Sequence, residues 1–331
     1  LPNLTNDPHE REKVSVIPRF FASLAGFCVA TFGLYIINGF NRMSGNENLL
    51  AEEGYTIFAV VIAVIFIITI GITVTNVKEE STLNSKVKKT SLRQAVNVII
   101  NNDQLLAFIG LLLTFNLCTQ IAKGFAVYYF KNVCGDEYLY SLFGFAIVAE
   151  MLGLAIFPKV ASKISREKVY ALACGCVILG LGLLGLVGFV MPTSVVATVV
   201  CCGIMFLGSG LSLGVTTCCM ADVIDYGEVK FGVRNESITC SAQTFLMKAA
   251  TAAAGGLTGV GLQIVGYNAK AEVQSAGTIA GIRVLMIVIP IIIAALSFLI
   301  YKKFYQLKGE RMEEVTRKVN EIHAAQEEMG A

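Results

Sequence analysis

Eight long apolar stretches, at residues 14–37, 56–77, 104–130, 139–157, 170–190, 195–220, 238–265 and 279–301, take up most of this chain. Each is near or above the roughly 20 residues that cross about 30 Å of hydrocarbon at 1.5 Å per residue. Hydrocarbon offers backbone N–H and C=O groups no partner, so only helices or closed barrels cross it. The stretches show no period-two alternation, which excludes a porin-like barrel. Only 15% of the 331 residues are charged, against 55% hydrophobic, whereas a soluble domain carries about a quarter charged residues on its surface. The pattern predicts an all-α, polytopic membrane protein with eight transmembrane helices.

The connections between stretches set the orientation. Segment 78–102 carries Lys78, Lys86, Lys88, Lys89 and Arg93, and segment 158–169 carries Lys159, Lys163, Arg166 and Lys168. The segment after 301 carries Lys302, Lys303, Lys308, Arg311, Arg317 and Lys318. The intervening connections hold only Arg42, Lys131 and Lys270, and 191–194 holds none. Segment 221–237 has two basic and four acidic residues, and acidic residues count little in this rule. Every second connection is therefore cytoplasmic, with both termini inside the cell membrane. The long basic connection 78–102, which includes an amphipathic piece with Leu92, Val96 and Ile99, separates two stretches from six. It divides the chain into 1–77, the remainder of an N-terminal bundle; 78–102, a central loop; 103–305, a C-terminal six-helix bundle; and 306–331, a cytoplasmic tail. Two plus six suggests a first bundle of six that lacks four helices here.

Several features carry no chemistry. Of ten cysteines only Cys134 falls in a connection, and no pair has CxxC spacing; thiols of this kind are small apolar filler between helices. Gly180, Gly182 and Gly185 match GxGxxG, but inside an apolar helix with no preceding strand, which excludes a dinucleotide site. Gly255 and Gly259 match GxxxG, and 249–256 is almost wholly small residues, a signature of close helix packing. The two histidines, His9 and His323, lie outside the stretches. No Ser/His/Asp arrangement, metal-ligand cluster or phosphate loop is present, so the chain reads as neither an enzyme nor a nucleic-acid binder, and no cofactor is expected.

Ionisable residues at membrane depth need a cavity or a partner. Arg19, Lys123, Glu150 and Lys248 lie inside the stretches. Asn116 and Gln120 precede Lys123 by about two turns and one turn; Gln243 precedes Lys248 by five residues, and Thr244 lies one turn before Lys248 on the same helix face. The bland alternative is that these groups only pin the bundle, with Glu150 pairing to Lys248 or Lys123. Single polar groups near mid-depth on several helices fit a transport pathway better.

Longer motifs carry a resemblance. They are Asp7–Glu12 with Pro18–Gly26, Gly124–Phe130, Ala221–Lys230, Val233–Ile238, and then Gln243, Thr244 and Lys248. In order and spacing they resemble the glycoside–pentoside–hexuronide:cation symporter family of the major facilitator superfamily. The resemblance implies twelve helices in two bundles of six, a chain that begins just after helix four, and a monomer when complete. It assigns Arg19 to the sugar site and turns Gln243, Thr244 and Lys248 toward the cavity, with Asn116 and Lys123 as further substrate contacts and Glu150 in coupling or an ion pair. It makes 222–230 a cytoplasmic gating loop whose charges, Asp222, Asp225 and Glu228 with Arg234 and Glu236, pair across the bundle interface. Leu213 stands where a member of the family has a tryptophan beside the sugar. The implied function is uptake of a glycoside, pentoside or hexuronide with Na⁺ or H⁺ by alternating access. A second reading is a lipid or lysolipid transporter or scramblase on the same fold. Residues 1–331 alone, lacking one wall of the cavity, are not expected to transport.

Overall fold

A computed structural model describes residues 25–45 apart from 27 and 30, 52–76, 99–232, 236–271 and 273–330; of Phe143 and residues 323–330 only the backbone is described. Among these residues every regular element is helical, and seven helices are long and apolar enough to cross a membrane. The described residues form two compact units, one drawn from Leu1–Lys89 and Tyr140–Phe145, the other from Thr90–Leu139 and Ala146–Ala331.

The first unit contains α1 (31–43) and α2 (Glu52–Asn76). The expected first span, 14–37, lies outside the described residues up to 24, and α1 continues six residues past its expected end. Buried Asn41 accepts the N–H of Gly54 at 2.6 Å, which satisfies one of the unpaired donors in the first turn of α2. A Cβ at 54 would sit 2.6 Å from the Ile37 carbonyl oxygen, so glycine is required by space rather than by φ. Beyond Gly54, no residue of α2 is buried. Its Thr56, Thr69, Thr73 and Thr75 hydroxyls donate to carbonyls one turn back, so the stretch between its polar ends presents an apolar surface suited to lipid.

The second unit holds α3 (Asp103–Tyr129), most of α4 (Leu142–Ala161), α5 (Arg166–Val190), α6 (Val195–Phe231), α7 (Glu236–Ile264), α8 (Ala276–Phe304) and α9 (Glu310–Gly330). Asn102 starts α3 by accepting the Leu105 N–H at 2.9 Å, and Ser275 starts α8 by accepting that of Thr278 at 3.1 Å. Both are side-chain caps on helix N-termini. α3 ends in a π turn, Phe130–Cys134, closed by Gly135 at φ 76°. A second π turn, Val284–Val288, interrupts α8 just before Pro290. Proline lacks the N–H and crowds the carbonyl four residues back, and widening the preceding turn relieves both.

Between lipid-embedded helices, packing rather than water release holds the structure, so small residues mark the contacts. A Cβ at Gly180 on α5 would lie 2.7 Å from Met205 N and 2.8 Å from Cys201 O on α6, and one at Gly208 would meet Ala173 O at 2.5 Å. The GxGxxG match is thus part of a helix seam. The Gly255–Gly259 match is not: nothing lies within 4 Å of a Cβ at 255, 256 or 259. On α7 the buried positions are Thr239, Ala250, Ala254 and Gly261, and those near the motif lie on a different face from it. There a Cβ at 261 would lie 2.8 Å from the Phe125 ring of α3.

α6 departs most from expectation. Its apolar stretch ends near 220, yet the helix runs to Phe231, where Gly232 at φ 69° stops it. Val223, Ile224, Gly227 and Glu228 stay buried, so a packed stripe continues past the apolar run and holds the backbone helical. Asp222, Asp225 and Glu228 therefore stand on helical turns, which corrects their reading as a loop. α9 was expected only as a tail. It is an amphipathic helix with Val315 and Val319 buried, and it packs against α6.

Candidate functional site

Three helices turn hydroxyl, amide and charged side chains toward one another in the second unit, and a fourth contributes Glu150. Asn116, Thr119, Gln120 and Lys123 follow each other on α3; Ser209, Ser212, Leu213 and Thr216 on α6; and Gln243, Thr244, Met247, Lys248 and Thr251 on α7. Each set has the i, i+3, i+4, i+7 or i+8 spacing of one helix face. Together with Glu150 of α4 they line a cavity of about 370 Å³, of the size that holds a small ligand. The structure brings Asn116, Lys123, Glu150, Gln243, Thr244 and Lys248 to this one place. Arg19 and Arg234 lie outside the described residues. Glu236 opens α7 in its first turn, where a carboxylate suits the helix dipole.

The polar contacts are specific. Gln120 donates to Thr251 Oγ1 at 2.9 Å and ties α3 to α7. Ser209 donates to Glu150 Oε1 at 2.8 Å. The Glu150 backbone is held equally closely, because Gly210 of α6 has no side chain to keep α4 away and a Cβ there would overlap it. Asn116 donates to Leu112 O at 2.9 Å, and Thr216 and Thr244 donate to carbonyls of their own helices. Lys123 Nζ stands 5.0 Å from the centre of the Phe206 ring, a cation–π distance. Among the described residues neither Lys123 nor Lys248 has a carboxylate at ion-pair distance. The alternative in which Glu150 pairs with one of these lysines is not formed there; Ser209 bonds the carboxylate instead.

Sequence reasoning passed over Ser209, Ser212, Thr216 and Thr251. Their signal was available: three hydroxyls at i, i+3 and i+7 in an otherwise apolar stretch mark one polar stripe. Arg283 of α8 was also passed over. It donates to Gly188 O at 3.0 Å and stacks 3.5 Å from the Phe189 ring centre, so it closes the end of α5 rather than facing the cavity.

A second polar cluster lies where α5, α6 and the turn after α8 meet. Asp222 accepts from Arg166 Nη1 at 2.5 Å and from Tyr305 Oη at 3.0 Å. Asp103 at the start of α3 accepts from Tyr226 Oη at 2.9 Å and from Lys230 Nζ at 2.7 Å. Lys308 bonds Glu167 at 3.2 Å. These side chains fasten the ends of the helices to one another.

A polar cavity inside a bundle of apolar helices is the architecture of a carrier, and comparison with known proteins agrees. Residues 1–309 match the family described as MFS/sugar transport protein. The chain belongs to this family. The match covers all the motifs that carried the resemblance and bears it out, and with it the all-α major facilitator fold. MFS/sugar transport proteins are transporters, not enzymes, and the chain is a multi-pass membrane protein. It is 30% identical over 91% of its length to the isoprimeverose transporter of Lactiplantibacillus pentosus, of which it spans 62%. It is 28% identical over 82% of its length to an uncharacterized symporter of Bacillus subtilis, spanning 58% of that protein. It is 27% identical over 75% to the lactose permease of Lactobacillus delbrueckii subsp. bulgaricus, spanning 39%. The chain thus spans less than two thirds of the length of these relatives.

Proposed function

We propose that this chain is part of a secondary active sugar symporter of the cell membrane, with the cavity between α3, α6 and α7 as part of its sugar site. One observation carries the reading. In a chain of a sugar-transport family, the mid-helix polar residues of separate helices converge on a single cavity, where neither lysine has an ion-pair partner among the described residues. The relatives named for isoprimeverose and lactose carry glycosides, which fit a lining of amides, hydroxyls and ammonium groups. Asn116, Gln243 and Thr244 would bond sugar hydroxyls, and Arg19 would add a charged contact. The driving ion is Na⁺ or H⁺, with no other cofactor. Ion and sugar stabilise the same occluded state, so each raises the affinity of the other. Both termini of this chain are cytoplasmic, and the assembly works as a monomer. Two six-helix bundles rock about the site, and Asp222, Asp225, Glu228, Arg234 and Glu236 form and break contacts at the cytoplasmic side as they do.

The test is counterflow of labelled sugars in proteoliposomes carrying the gene's full product, under imposed Na⁺ or H⁺ gradients. Saturable, gradient-driven accumulation of one sugar is expected, and Arg19→Ala should abolish it with little loss of folded protein. Absence of any sugar exchange, together with movement of labelled lysolipid, would replace this reading with the lipid-transport one.

A further inference from the structure

We propose that the transported sugar carries an anionic group and that Lys123 is the residue that selects it. This deepens the sugar-transport reading and rests on it. The charged residues of the cavity lining are Lys123, Lys248 and Glu150, so the described wall carries one more positive than negative charge. The one carboxylate is already engaged by Ser209 at 2.8 Å, and neither ammonium has a carboxylate at ion-pair distance among the described residues.

An ammonium group in a low-dielectric cavity draws its counter-charge from whatever enters. Sugar hydroxyls can accept its hydrogen bonds but cannot cancel its charge; a carboxylate or sulfonate does both. Lys123 is the better placed of the two lysines. Its ammonium rests over Phe206 at 5.0 Å. One turn earlier on the same face, Gln120 fixes α3 to α7 through Thr251. An acidic group on the sugar would meet a charge held by a ring and a braced helix. Lys248 is more exposed.

The experiment compares each sugar acid with its neutral twin in proteoliposomes of the gene's full product: glucuronate with glucose, galacturonate with galactose, and methyl β-glucuronide with methyl β-glucoside. The acid of the transported pair should bind about tenfold or more tightly than its neutral twin, the usual worth of one charge-assisted hydrogen bond. Lys123→Gln should erase that preference, so that acid and neutral twin bind with the same affinity as each other, and Lys123→Arg should retain part of it. Size-exclusion profiles of both variants establish that they fold. Equal or tighter binding of the neutral twin, or a preference that survives Lys123→Gln, would overturn the inference and leave sugar transport standing. No exchange of any member of any pair would overturn both.

Discussion

Tyr305 donates its hydroxyl hydrogen to the same Asp222 oxygen that Arg166 holds, at 3.0 and 2.5 Å. The tyrosine does not stand alone. Its ring stacks on Tyr301 at 5.3 Å and 15°, Tyr301 lies 4.7 Å from Tyr170, and Tyr170 lies 6.0 Å from Phe115. Phe115 lines the cavity. An unbroken aromatic column therefore joins the cavity wall to the ion pair at the helix ends. Tyr170 is fixed within it by Ser297, at 2.8 Å.

Removing the hydroxyl with Tyr305→Phe keeps the column and deletes one hydrogen bond to a carboxylate. A loss of about 1 to 2 kcal/mol is expected, read as lowered thermal stability of the detergent-purified protein. Asp222→Ala should cost more than Tyr305→Phe, because it leaves Arg166 half-buried without its partner. Equal stability of wild type and Asp222→Ala would show that the pair holds nothing together.

The approach of α4 to α6 depends on Gly210. A valine there would overlap the Glu150 backbone and Leu154, whose N would lie 2.8 Å from the added Cβ. Gly210→Val should lower stability by about 1 to 3 kcal/mol, the range of overpacked cores. It should also weaken sugar binding, because Glu150 shifts away from Ser209. Gly175 on α5 has nothing within 4 Å, so Gly175→Ala should be neutral or slightly stabilising. A thermal-shift comparison of the two variants decides.

What the sequence showed and what it hid have separate causes. Long apolar runs and alternating basic connections depend on composition alone, and the helices among the described residues follow them. Lys123, Glu150 and Lys248 stood out because charge within an apolar run is conspicuous. Ser209, Ser212 and Thr216 did not, since a small uncharged hydroxyl side chain blends into an apolar helix; only their common face gives them away. The helix across 221–231 was hidden by its charges. Asp222 reads as the start of a loop until Arg166 and Tyr305, 56 and 83 residues away, are brought beside it. The GxxxG match misled because the motif records small residues without saying which neighbour they meet; Gly261, outside the motif, meets Phe125 of α3 instead.

Ser209→Ala tests the carboxylate in the cavity. Glu150 Oε1 would lose its neutral donor, and an unengaged carboxylate beside two ammonium groups gains reason to pair with one. If anionic sugars compete for those ammonium groups, Ser209→Ala should weaken acid binding several-fold while neutral sugars are affected less. Equilibrium binding of one sugar acid and its neutral twin, in wild type and variant, gives the ratio. An identical ratio would mean that Glu150 and the lysines do not communicate.

Lys248 stands about 18 Å along α7 at 1.5 Å per residue, near the middle of that 29-residue helix. It projects from the same face as Gln243, Thr244 and Thr251 into the cavity. A cation at mid-depth without a carboxylate partner among the described residues is held there by function or not at all. If its ammonium links the sugar and ion sites, Lys248→Ala should retain expression and some sugar exchange at equal concentrations but lose accumulation against a gradient. Exchange and gradient-driven uptake measured on one preparation of proteoliposomes separate the two effects. Full accumulation by Lys248→Ala would show that coupling runs through other residues; loss of folded protein would make Lys248 a structural residue of α7.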